Sequence, residues 1–324
     1  MSFVLPEHWV WDFWIADDGD RYHLYYLRAP HSLGSPSLRH RNAAIGHATS
    51  PDLTDWTDHG TVLGPGTSGD FDETATWTGS VVPGPGGSWR MFYTGAQFVH
   101  PVAFTNIESI GVAASPDLHA WEKRPGPILR ADPRWYETLD QGTWKEEACR
   151  DPWVYPSQSG DGWHMLYTAR SRSGDAQDRG VVGHAASPDL ETWTAQPPLS
   201  RPGAGFMHLE VPQLATVEGK DVLLFSCPAD HLAGSRREHG ETGGVWAAPV
   251  AADGTFAVEE AYLLLDQSRY YSGRAVQRRD GRSVILAFNH VQDETSFAGG
   301  VCDPLPLGWS ADGRLVVLDA ARAG

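Results

Sequence analysis

Apolar strands and polar turns alternate along this chain in a phrase that occurs three times. Each copy is an apolar residue, a glycine, a few small residues, Ser-Pro-Asp-Leu and then a tryptophan. The copies occupy residues 45–56, 110–121 and 182–193, so they lie 65 and 72 residues apart. Proline presets the backbone for a turn, and aspartate can accept hydrogen bonds from nearby amides. The phrase therefore predicts a strand, a tight turn and the start of the next strand.

Strands rich in aromatic and aliphatic residues recur with the same spacing. They occupy residues 22–26, 89–93, 163–167, 222–225 and 284–288, and degenerate turns with Asp-Gly follow the last two. Repeats of about 60–70 residues are typical of a β-propeller, where radial repetition protects the strand edges. The sequence therefore predicts an all-β fold: a five-bladed β-propeller with four antiparallel strands per blade, occupying residues 1–324 as a single domain.

The innermost strand of each blade should lie about ten residues before the aromatic strand. This places innermost strands at residues 8–16, 76–82, 150–155, 209–214 and 270–276. Asp12, Asp151 and Glu210 then occupy near-equivalent places in blades 1, 3 and 4. Because innermost strands line the central channel, we expect the three carboxyl groups to meet at one of its mouths.

Carboxyl groups that share a pocket raise one another's pKa and can divide into an acid and a base or nucleophile, as glycoside hydrolysis requires. The residues around them suit a sugar, because aromatic faces pack against its C–H face and arginine bonds to its hydroxyls. We therefore assign to substrate binding Trp11, Trp14, Trp77, Ser80 and Arg150. The aspartates of the turn phrase recur in every copy and are interpreted as structural. His208 and Cys149, close to the acids in sequence, are interpreted as packing residues.

At these residues the sequence resembles the five-bladed propeller glycoside hydrolases, in particular the fructan-active families 32 and 68. The resemblance runs in order along the chain through Val10-Trp11-Asp12-Phe13-Trp14, Trp77-Thr78-Gly79-Ser80, Arg150-Asp151-Pro152, Glu210-Val211-Pro212 and Tyr270-Tyr271-Ser272-Gly273-Arg274. Three features depart from family 32. The Phe-Trp after Asp12 is closer to family 68, Val211 replaces the usual cysteine, and no C-terminal β-sandwich is expected after blade 5.

The resemblance implies a retaining mechanism on a β-fructofuranoside such as sucrose or a short fructan, with hydrolysis or fructosyl transfer as its outcome. Asp12 would attack the anomeric carbon. Glu210, in a drier environment that keeps it protonated, would protonate the leaving oxygen and then activate water. Asp151 with Arg150 would hold sugar hydroxyls and stabilise the oxocarbenium-like transition state. Tyr271 belongs to the counterpart of the fifth-blade motif and is assigned to substrate binding.

Two other functions stay open on the sequence. An inverting α-L-arabinofuranosidase or β-xylosidase similar to family 43 has the same propeller and the same three acids in other roles. Furanose rings of arabinose and fructose make similar demands on a pocket. A propeller that binds glycans without turnover is the alternative from another class, and the presence of all three acids argues against it.

The composition limits the kinds of molecule that the protein is expected to bind. The chain has 25 Lys and Arg against 41 Asp and Glu, a net charge of −16, which opposes capture of nucleic acid. The sequence shows no apolar run of about 18 residues and no signal-peptide pattern, so it predicts a cytoplasmic protein without membrane association. The 3 cysteines show no metal-ligand spacing and the 14 histidines are scattered, so no cofactor and no metal ligands are predicted, and a structural Ca²⁺ or Na⁺ at the propeller axis is left open. A carbohydrate substrate is the predicted partner, and the oligomeric state is left unassigned.

The segment 225–244 is polar and rich in glycine. Its length exceeds that of a plain hairpin loop. It is predicted to be an exposed connection in blade 4 that rims the pocket.

Overall fold

Five four-stranded antiparallel sheets surround a central axis, each with its strands in chain order from the inside out. The structure is a computed structural model that describes residues 2–293 and 296–318. The predicted five-bladed β-propeller is confirmed. Residues 1, 294–295 and 319–324 of the predicted domain lie outside the described residues.

The first three blades follow the repeated sequence phrases. Blade 1 consists of His8–Asp17, Tyr22–Pro30, Ala44–Ser50 and Thr57–Leu63. Blade 2 consists of Ala75–Pro83, Trp89–Phe98, Asn106–Ser115 and Glu122–Lys123, and Glu146–Glu147 adds a short parallel strand to it. Blade 3 consists of Cys149–Pro156, Trp163–Arg170, Gly180–Ser187 and Thr194–Gln196.

The last two blades have longer insertions. Blade 4 consists of Glu210–Val217, Lys220–Cys227, Gly244–Pro249 and Tyr262–Asp266. Blade 5 consists of Tyr270–Gln277, Ser283–Asn289, Leu305–Trp309 and Leu315–Val317, with a hairpin of Val291–Asp293 and Ser296–Phe297 inserted. Each innermost strand predicted from the sequence corresponds to the first strand of a blade.

Helical structure is short wherever the chain is described. The α-helix Gly234–Glu238 has five residues. The 3₁₀ helices are His31–Leu33, Pro36–Asn42, Pro85–Gly87, Leu139–Gln141, Ala229–His231 and Val258–Glu260. None of the helices in these ranges is long and apolar enough to cross a membrane.

The repeated Ser-Pro-Asp-Leu phrase forms the same turn in each of three blades. In blade 1 the Ser50 hydroxyl accepts the amides of Asp52 and Leu53 at 3.1 and 3.0 Å. The Asp52 carboxylate accepts the amides of Thr54 and Asp55 at 2.9 and 3.0 Å. The leucine is buried in the left-handed region, with φ of 72° at Leu53, 67° at Leu118 and 67° at Leu190. The recurring aspartates are therefore structural, as predicted.

The glycine of each phrase lies opposite a tyrosine on the neighbouring strand. The pairs are Tyr26 with Gly46, Tyr93 with Gly111, and Tyr167 with Gly183. A Cβ atom on Gly183 would lie 2.4 Å from the Tyr167 ring, which is far inside van der Waals contact. The tyrosine ring thus fills the space that a side chain would occupy, so only glycine fits at this position.

The ring of blades closes between the start of the described chain and blade 5. The backbone of Phe3 pairs with Val301 in both directions, at 2.8 and 2.9 Å. The Phe3 ring packs edge-on against Tyr26 of blade 1, with centroids 5.0 Å apart. Arg279 of blade 5 forms an ion pair with Asp17 of blade 1 at 2.5 Å. Contacts between residues that are far apart in the sequence therefore close the ring of blades.

Candidate active site

Every innermost strand carries a β-bulge at the same level of the propeller. The first bulged residue of each blade is, in order, Asp12, Thr78, Asp151, Val211 and Ser272. The residues just before the bulges are Trp11, Trp77, Arg150, Glu210 and Tyr271. A regular strand alternates its faces, whereas a bulge turns two successive side chains the same way. Each blade therefore sends a pair of neighbouring side chains to one mouth of the channel.

This register refines the predicted equivalence of the acids. Asp12 and Asp151 are bulged residues, whereas Glu210 is the residue before its bulge. The position of Glu210 thus corresponds to that of Arg150 in blade 3.

Three of the bulged residues have left-handed backbone conformations. The φ angles are 60° at Asp151, 53° at Val211 and 51° at Ser272. Such conformations are costly for residues other than glycine and cluster at functional sites. Neighbouring blades hold the strained amides: that of Asp151 donates to Thr94 Oγ1 at 2.8 Å, and that of Ser272 donates to Ser226 Oγ at 3.1 Å.

A cavity of about 490 Å³ opens where these pairs of side chains meet. Its lining includes all three acids together with four of the assigned binding residues, Trp11, Trp77, Arg150 and Tyr271. This volume is within the usual range for small-molecule sites. The structure therefore brings together residues from all five blades that are up to 260 positions apart, since the Ser272 hydroxyl donates to Asp12.

Both oxygens of the Asp12 carboxylate are fixed by hydroxyl groups. Ser272 Oγ donates to one oxygen at 2.6 Å and Thr78 Oγ1 to the other at 2.8 Å. Burial raises the pKa of Asp12 above its usual value, although these two hydrogen bonds oppose the shift. The Asp12 carboxylate is thus oriented by neighbours that carry no charge.

Asp151 is buried beside a cation. One of its oxygens accepts the Val211 amide at 3.0 Å and the Thr168 hydroxyl at 2.8 Å. Burial raises the pKa of Asp151 to about 6, although Arg150, with Nε 3.5 Å away, opposes the shift. The Asp151 carboxylate therefore links blade 3 to blade 4 through the Val211 amide.

Glu210 is held by two strong donors. Arg150 Nη2 donates to Oε1 at 2.8 Å, and the Tyr271 hydroxyl donates to Oε2 at 2.5 Å. Burial by itself would raise the pKa of Glu210, but the Arg150 guanidinium bonded to it outweighs this effect and holds the pKa below its usual range. The prediction that the site keeps Glu210 protonated is wrong for the ligand-free protein, because it overlooked the cation beside it.

Arg150 is the central cation of the site. Its guanidinium lies within 3.6 Å of four carboxylates, those of Glu108, Glu146, Asp151 and Glu210. Burial would lower the pKa of Arg150, but these carboxylates raise it well above its usual value. A charge buried with such partners is very costly to remove from them.

The residues interpreted as packing groups are buried next to Arg150. His208 Nδ1 lies 2.8 Å from Arg150 Nη2, and burial together with that cation holds its pKa well below the usual value. The imidazole is therefore neutral and accepts the hydrogen bond. Burial raises the pKa of the Cys149 thiol well above its usual value, so it is a poor nucleophile.

Trp14 and Ser80, both assigned to sugar binding from the sequence, do not line the cavity. Trp14 is fully buried and stacks on Tyr25, with centroids 6.0 Å apart. The Ser80 hydroxyl accepts the Val154 amide at 3.2 Å and so ties blade 2 to blade 3. Both residues lie two positions beyond a bulge, deeper in the channel, where side-chain packing fills the interior.

Several residues that line the cavity were missed in the sequence. They are Arg39, His40, Thr78, Glu108, Glu146 and Gln267. Arg39 and His40 lie on the 3₁₀ helix Pro36–Asn42, whose carbonyl at His40 accepts the Trp77 indole N–H at 2.8 Å. Thr78 was within reach of sequence reasoning, because it directly follows Trp77 as Asp12 follows Trp11.

The connection between the second and third strands of blade 4 is less exposed than predicted. Its Asp230 and His231 line the cavity, so it does form part of the rim. Arg236, however, is buried over the Phe206 ring at 4.5 Å and donates to the Ala204 carbonyl at 2.9 Å. The prediction of exposure rested on the polar, glycine-rich composition of the segment, but a polar side chain such as that of Arg236 can be buried when it is paired.

Comparison with known proteins agrees with this geometry. The family model for the glycosyl hydrolases family 32 N-terminal domain matches residues 14–299. A probable sucrose-6-phosphate hydrolase of Vibrio cholerae is 25% identical over 89% of this chain and 47% of its own length. The invertase of Kluyveromyces lactis is 26% identical over 69% of this chain and 34% of its own. The chain thus spans less than half the length of these curated relatives.

Solved structures share the fold. The inulosucrase of Halalkalicoccus jeotgali bound to kestose superposes with a TM-score of 0.78 at 21% identity, over 97% of this chain and 87% of that one. A GH32 β-fructofuranosidase of Bombyx mori gives 0.74 at 21% identity, over 98% and 64%. Since the family model extends from the first blade into the fifth and so contains nearly every residue of the cavity, this chain belongs to glycosyl hydrolase family 32.

Proposed function

We propose that the protein is a retaining glycoside hydrolase that acts on β-fructofuranosides such as sucrose or a short fructan, with fructosyl transfer to another sugar as a second outcome. The observation that carries the proposal is the meeting of Asp12, Asp151 and Glu210 in one cavity, with Arg150 bonded to Glu210. The family, and relatives named as invertase and sucrose-6-phosphate hydrolase, support the fructoside substrate.

Asp12 is proposed as the nucleophile. Its carboxylate attacks the anomeric carbon while the glycosidic bond to the leaving oxygen breaks, and a covalent glycosyl-enzyme results. The Ser272 and Thr78 hydroxyls fix the direction of the attacking oxygen. Because these partners are neutral, they orient the carboxylate and stabilise its charge less than a cation would.

Glu210 is proposed as the acid and then the base. It gives its proton to the leaving oxygen, and afterwards takes a proton from the water that hydrolyses the intermediate. Its lowered pKa makes the protonated form a strong acid. Because the charge of Glu210 acts on Asp12, the two carboxyl groups titrate together, and the pH profile reports macroscopic pKa values of the pair.

Asp151 and Arg150 are proposed to bind the sugar. Arg150, which is bonded to Glu210, would donate hydrogen bonds to sugar hydroxyls, and the neighbouring Asp151 carboxylate would accept them. Trp11, Trp77 and Tyr271, on the same ring of positions, offer apolar faces to the sugar.

A substrate panel tests the proposal. It contains sucrose, sucrose 6-phosphate, inulin, levan, arabinan and xylobiose, and NMR reads the anomer of the first product. We expect turnover of fructosides with retained configuration, and a methyl fructoside of the same configuration when methanol is added. Cleavage of arabinosides or xylosides with an inverted product would move Asp12 to the role of general base. Glycan binding without turnover would support the binding propeller.

Two variants test the roles of the acids. Asp12→Asn should lose nearly all turnover, while Glu210→Ala should impair substrates with poor leaving groups far more than those with good ones. Asp189→Asn makes the same chemical change in a turn remote from the cavity and should keep its turnover. Equal losses in Asp12→Asn and Asp189→Asn would show a folding effect and refute the nucleophile.

A further inference from the structure

Four histidines that are scattered in the sequence meet in the outer part of blade 1, and none of them lines the cavity. His23, His47 and His59 lie on its second, third and fourth strands, and His119 comes from the turn of blade 2. The ring centroids of His47 lie 4.9 Å from those of His59 and His119, which are 5.3 Å from each other. The fold thus builds an imidazole cluster that no sequence spacing reveals.

Hydrogen bonds fix the tautomers of the two buried rings. His23 Nε2 lies 3.2 Å from an Asp18 carboxylate oxygen, so that nitrogen carries the proton. His23 Nδ1 is then an acceptor, and it lies 2.9 Å from His47 Nε2, which must donate. A second proton on His47 would lie on Nδ1, which is buried and has no acceptor within reach, so the ring is neutral. This leaves a lone pair on His47 Nδ1.

That lone pair has no partner. His47 is fully buried, and no donor among residues 2–293 and 296–318 reaches its Nδ1 atom. Buried polar atoms without a partner are rare and call for an explanation such as an ion. One nitrogen each of His47, His59 and His119 lie within 4.8 Å of one another, and Nδ1 is the nitrogen of His47 that is not already bonded to His23.

His59 is directed to this point by a local irregularity. The pairing between the third and fourth strands of blade 1 carries a bulge at His47 and Ala48, and His59 is its extra residue. Its Nε2 atom is already engaged with the Thr49 hydroxyl at 2.8 Å, which leaves Nδ1 for a ligand. Zinc–nitrogen bonds of about 2.0–2.1 Å place tetrahedral ligand atoms about 3.4 Å apart. The exposed side chains of His59 and His119 need move only about an ångström to reach that spacing.

We propose that His47, His59 and His119 bind a transition-metal ion that prefers imidazole, above all Zn²⁺, with water in the fourth position. Asp18 and His23 orient the buried ligand from behind, as outer carboxylates do in known zinc sites. The ion joins two outer strands of blade 1 to the turn of blade 2. Its role is to clamp neighbouring blades, and it is independent of the hydrolytic function.

Blade 3 supplies an internal control. His164 and His184 occupy the equivalent positions and make the same bond, Nδ1 to Nε2 at 2.9 Å. In the described part of the chain, three-ligand groups occur only at the blade 1 cluster and at His208, Glu210 and His231, of which Glu210 and His231 line the cavity. The paired histidines are therefore a feature of the repeat, and blade 1 adds His59 and His119 to them.

The test uses the full chain, freed of metal with a chelator and titrated with Zn²⁺ alone. Isothermal titration and competition with a chromophoric chelator measure the affinity, and thermal unfolding measures the clamp. We expect one ion at the high-affinity site and a higher Tm with zinc. His59→Ala/His119→Ala should lose affinity by about 100-fold or more and lose the Tm increase. Because both side chains are exposed, this variant should match the wild type in Tm without metal.

Two further variants separate the sites. His164→Ala removes the blade 3 pair, and His231→Ala removes a ligand of the cavity group. Both should keep the wild-type zinc affinity. The proposal fails if the wild type takes up no zinc, if His59→Ala/His119→Ala binds it unchanged, or if His231→Ala abolishes the high-affinity site.

Discussion

The neighbours of each acid decide its charge in the free site. Asp12 is held by two hydroxyls, and Asp151 by an amide, a hydroxyl and, at 3.5 Å, Arg150 Nε, so burial prevails and both pKa values are raised. Glu210 bonds directly to the guanidinium, and its pKa is lowered. Three buried carboxyl groups within one cavity are thereby divided into groups that resist ionisation and one that favours it.

Asp151→Asn should stabilise the ligand-free protein at neutral pH while it abolishes turnover. The pKa of Asp151 is about 6 in the fold against an ordinary 3.8. The native state therefore binds more protons than the unfolded state between these values, and stability falls as pH rises through that window. At about 1.4 kcal/mol per unit, the charged form destabilises the fold by up to ~3 kcal/mol above pH 6. We expect a gain of about 1–3 kcal/mol at pH 7 that vanishes near pH 4.

Urea denaturation between pH 4 and 8 measures this gain. Asp189→Asn is the matched control, and its effect on stability should have the opposite sign. Hydrogen bonds from the Thr192 and Glu191 amides lower the pKa of Asp189. Loss of this carboxylate should therefore destabilise the protein at neutral pH and less so in acid. A gain in Asp151→Asn that does not depend on pH would contradict the argument.

Gly183→Ala should destabilise the protein by about 1–3 kcal/mol, the usual effect of overpacking. The added Cβ would lie 2.4 Å from the Tyr167 ring in the sheet of blade 3. Gly64→Ala is the control, because nothing lies within 4 Å of a Cβ there and its φ is ordinary. It should be neutral or stabilising by up to about 1 kcal/mol. Equal denaturation midpoints for the two variants would refute the requirement for glycine opposite tyrosine.

The connection between the second and third strands of blade 4 is anchored at one side chain. Arg236 donates to the carbonyls of Ala204 at 2.9 Å and Ala261 at 3.1 Å, and its cation lies over two aromatic rings. The same segment carries Asp230 and His231 to the cavity. The order of the rim therefore depends on a residue that the cavity does not contain.

Arg236→Ala should loosen this rim without unfolding the blades. We expect a several-fold rise in KM, a smaller change in kcat and faster proteolytic cleavage within residues 228–243. Glu238→Ala, on the exposed part of the same helix, is the control and should change neither the KM nor the rate of proteolytic cleavage. If KM stays constant while the segment is cleaved faster, the rim has no part in substrate binding.

Sequence reasoning located the strands but not their bulges. Strand and turn signals are local, so the repeat positioned all five innermost strands. A bulge is a property of the register between two strands, which composition does not encode. This is why Trp14 and Ser80 were chosen and Thr78 was missed. The histidine cluster escaped for a similar reason, since blade 2 supplies His119 to strands that lie some 60 or more residues earlier.

At the scale of the whole molecule, closure of the ring depends on residues that are distant in sequence. Phe3→Ala should lower stability by about 3 kcal/mol, because the ring is buried against Tyr26 and its backbone pairs with Val301. Val4→Ala is the adjacent control, since Val4 is 59% exposed, and it should change little. Chemical denaturation and unfolding rates measure both. An equal effect of the two changes would show that this closing contact contributes nothing.

Two predictions about the whole chain stay predictions. They are its cytoplasmic location and its organisation as a single domain over residues 1–324. The three cysteines are free and buried, which is compatible with a reducing compartment. The acidic balance of −16 predicts weak association with polyanions, and gel-shift titration at low salt would check it.

The bulges of the five innermost strands place ten residues, two from each blade, around one mouth of the propeller. Each blade contributes two successive residues at its bulge, while the Ser-Pro-Asp-Leu turns, the glycine–tyrosine pairs and the closing contacts of Phe3 and Arg279 lie elsewhere. A gene library confined to the ten codons of Trp11, Asp12, Trp77, Thr78, Arg150, Asp151, Glu210, Val211, Tyr271 and Ser272 would therefore sample new specificities, provided that side chains bonded across blades, such as Asp12 with Ser272 and Arg150 with Glu210, are varied together.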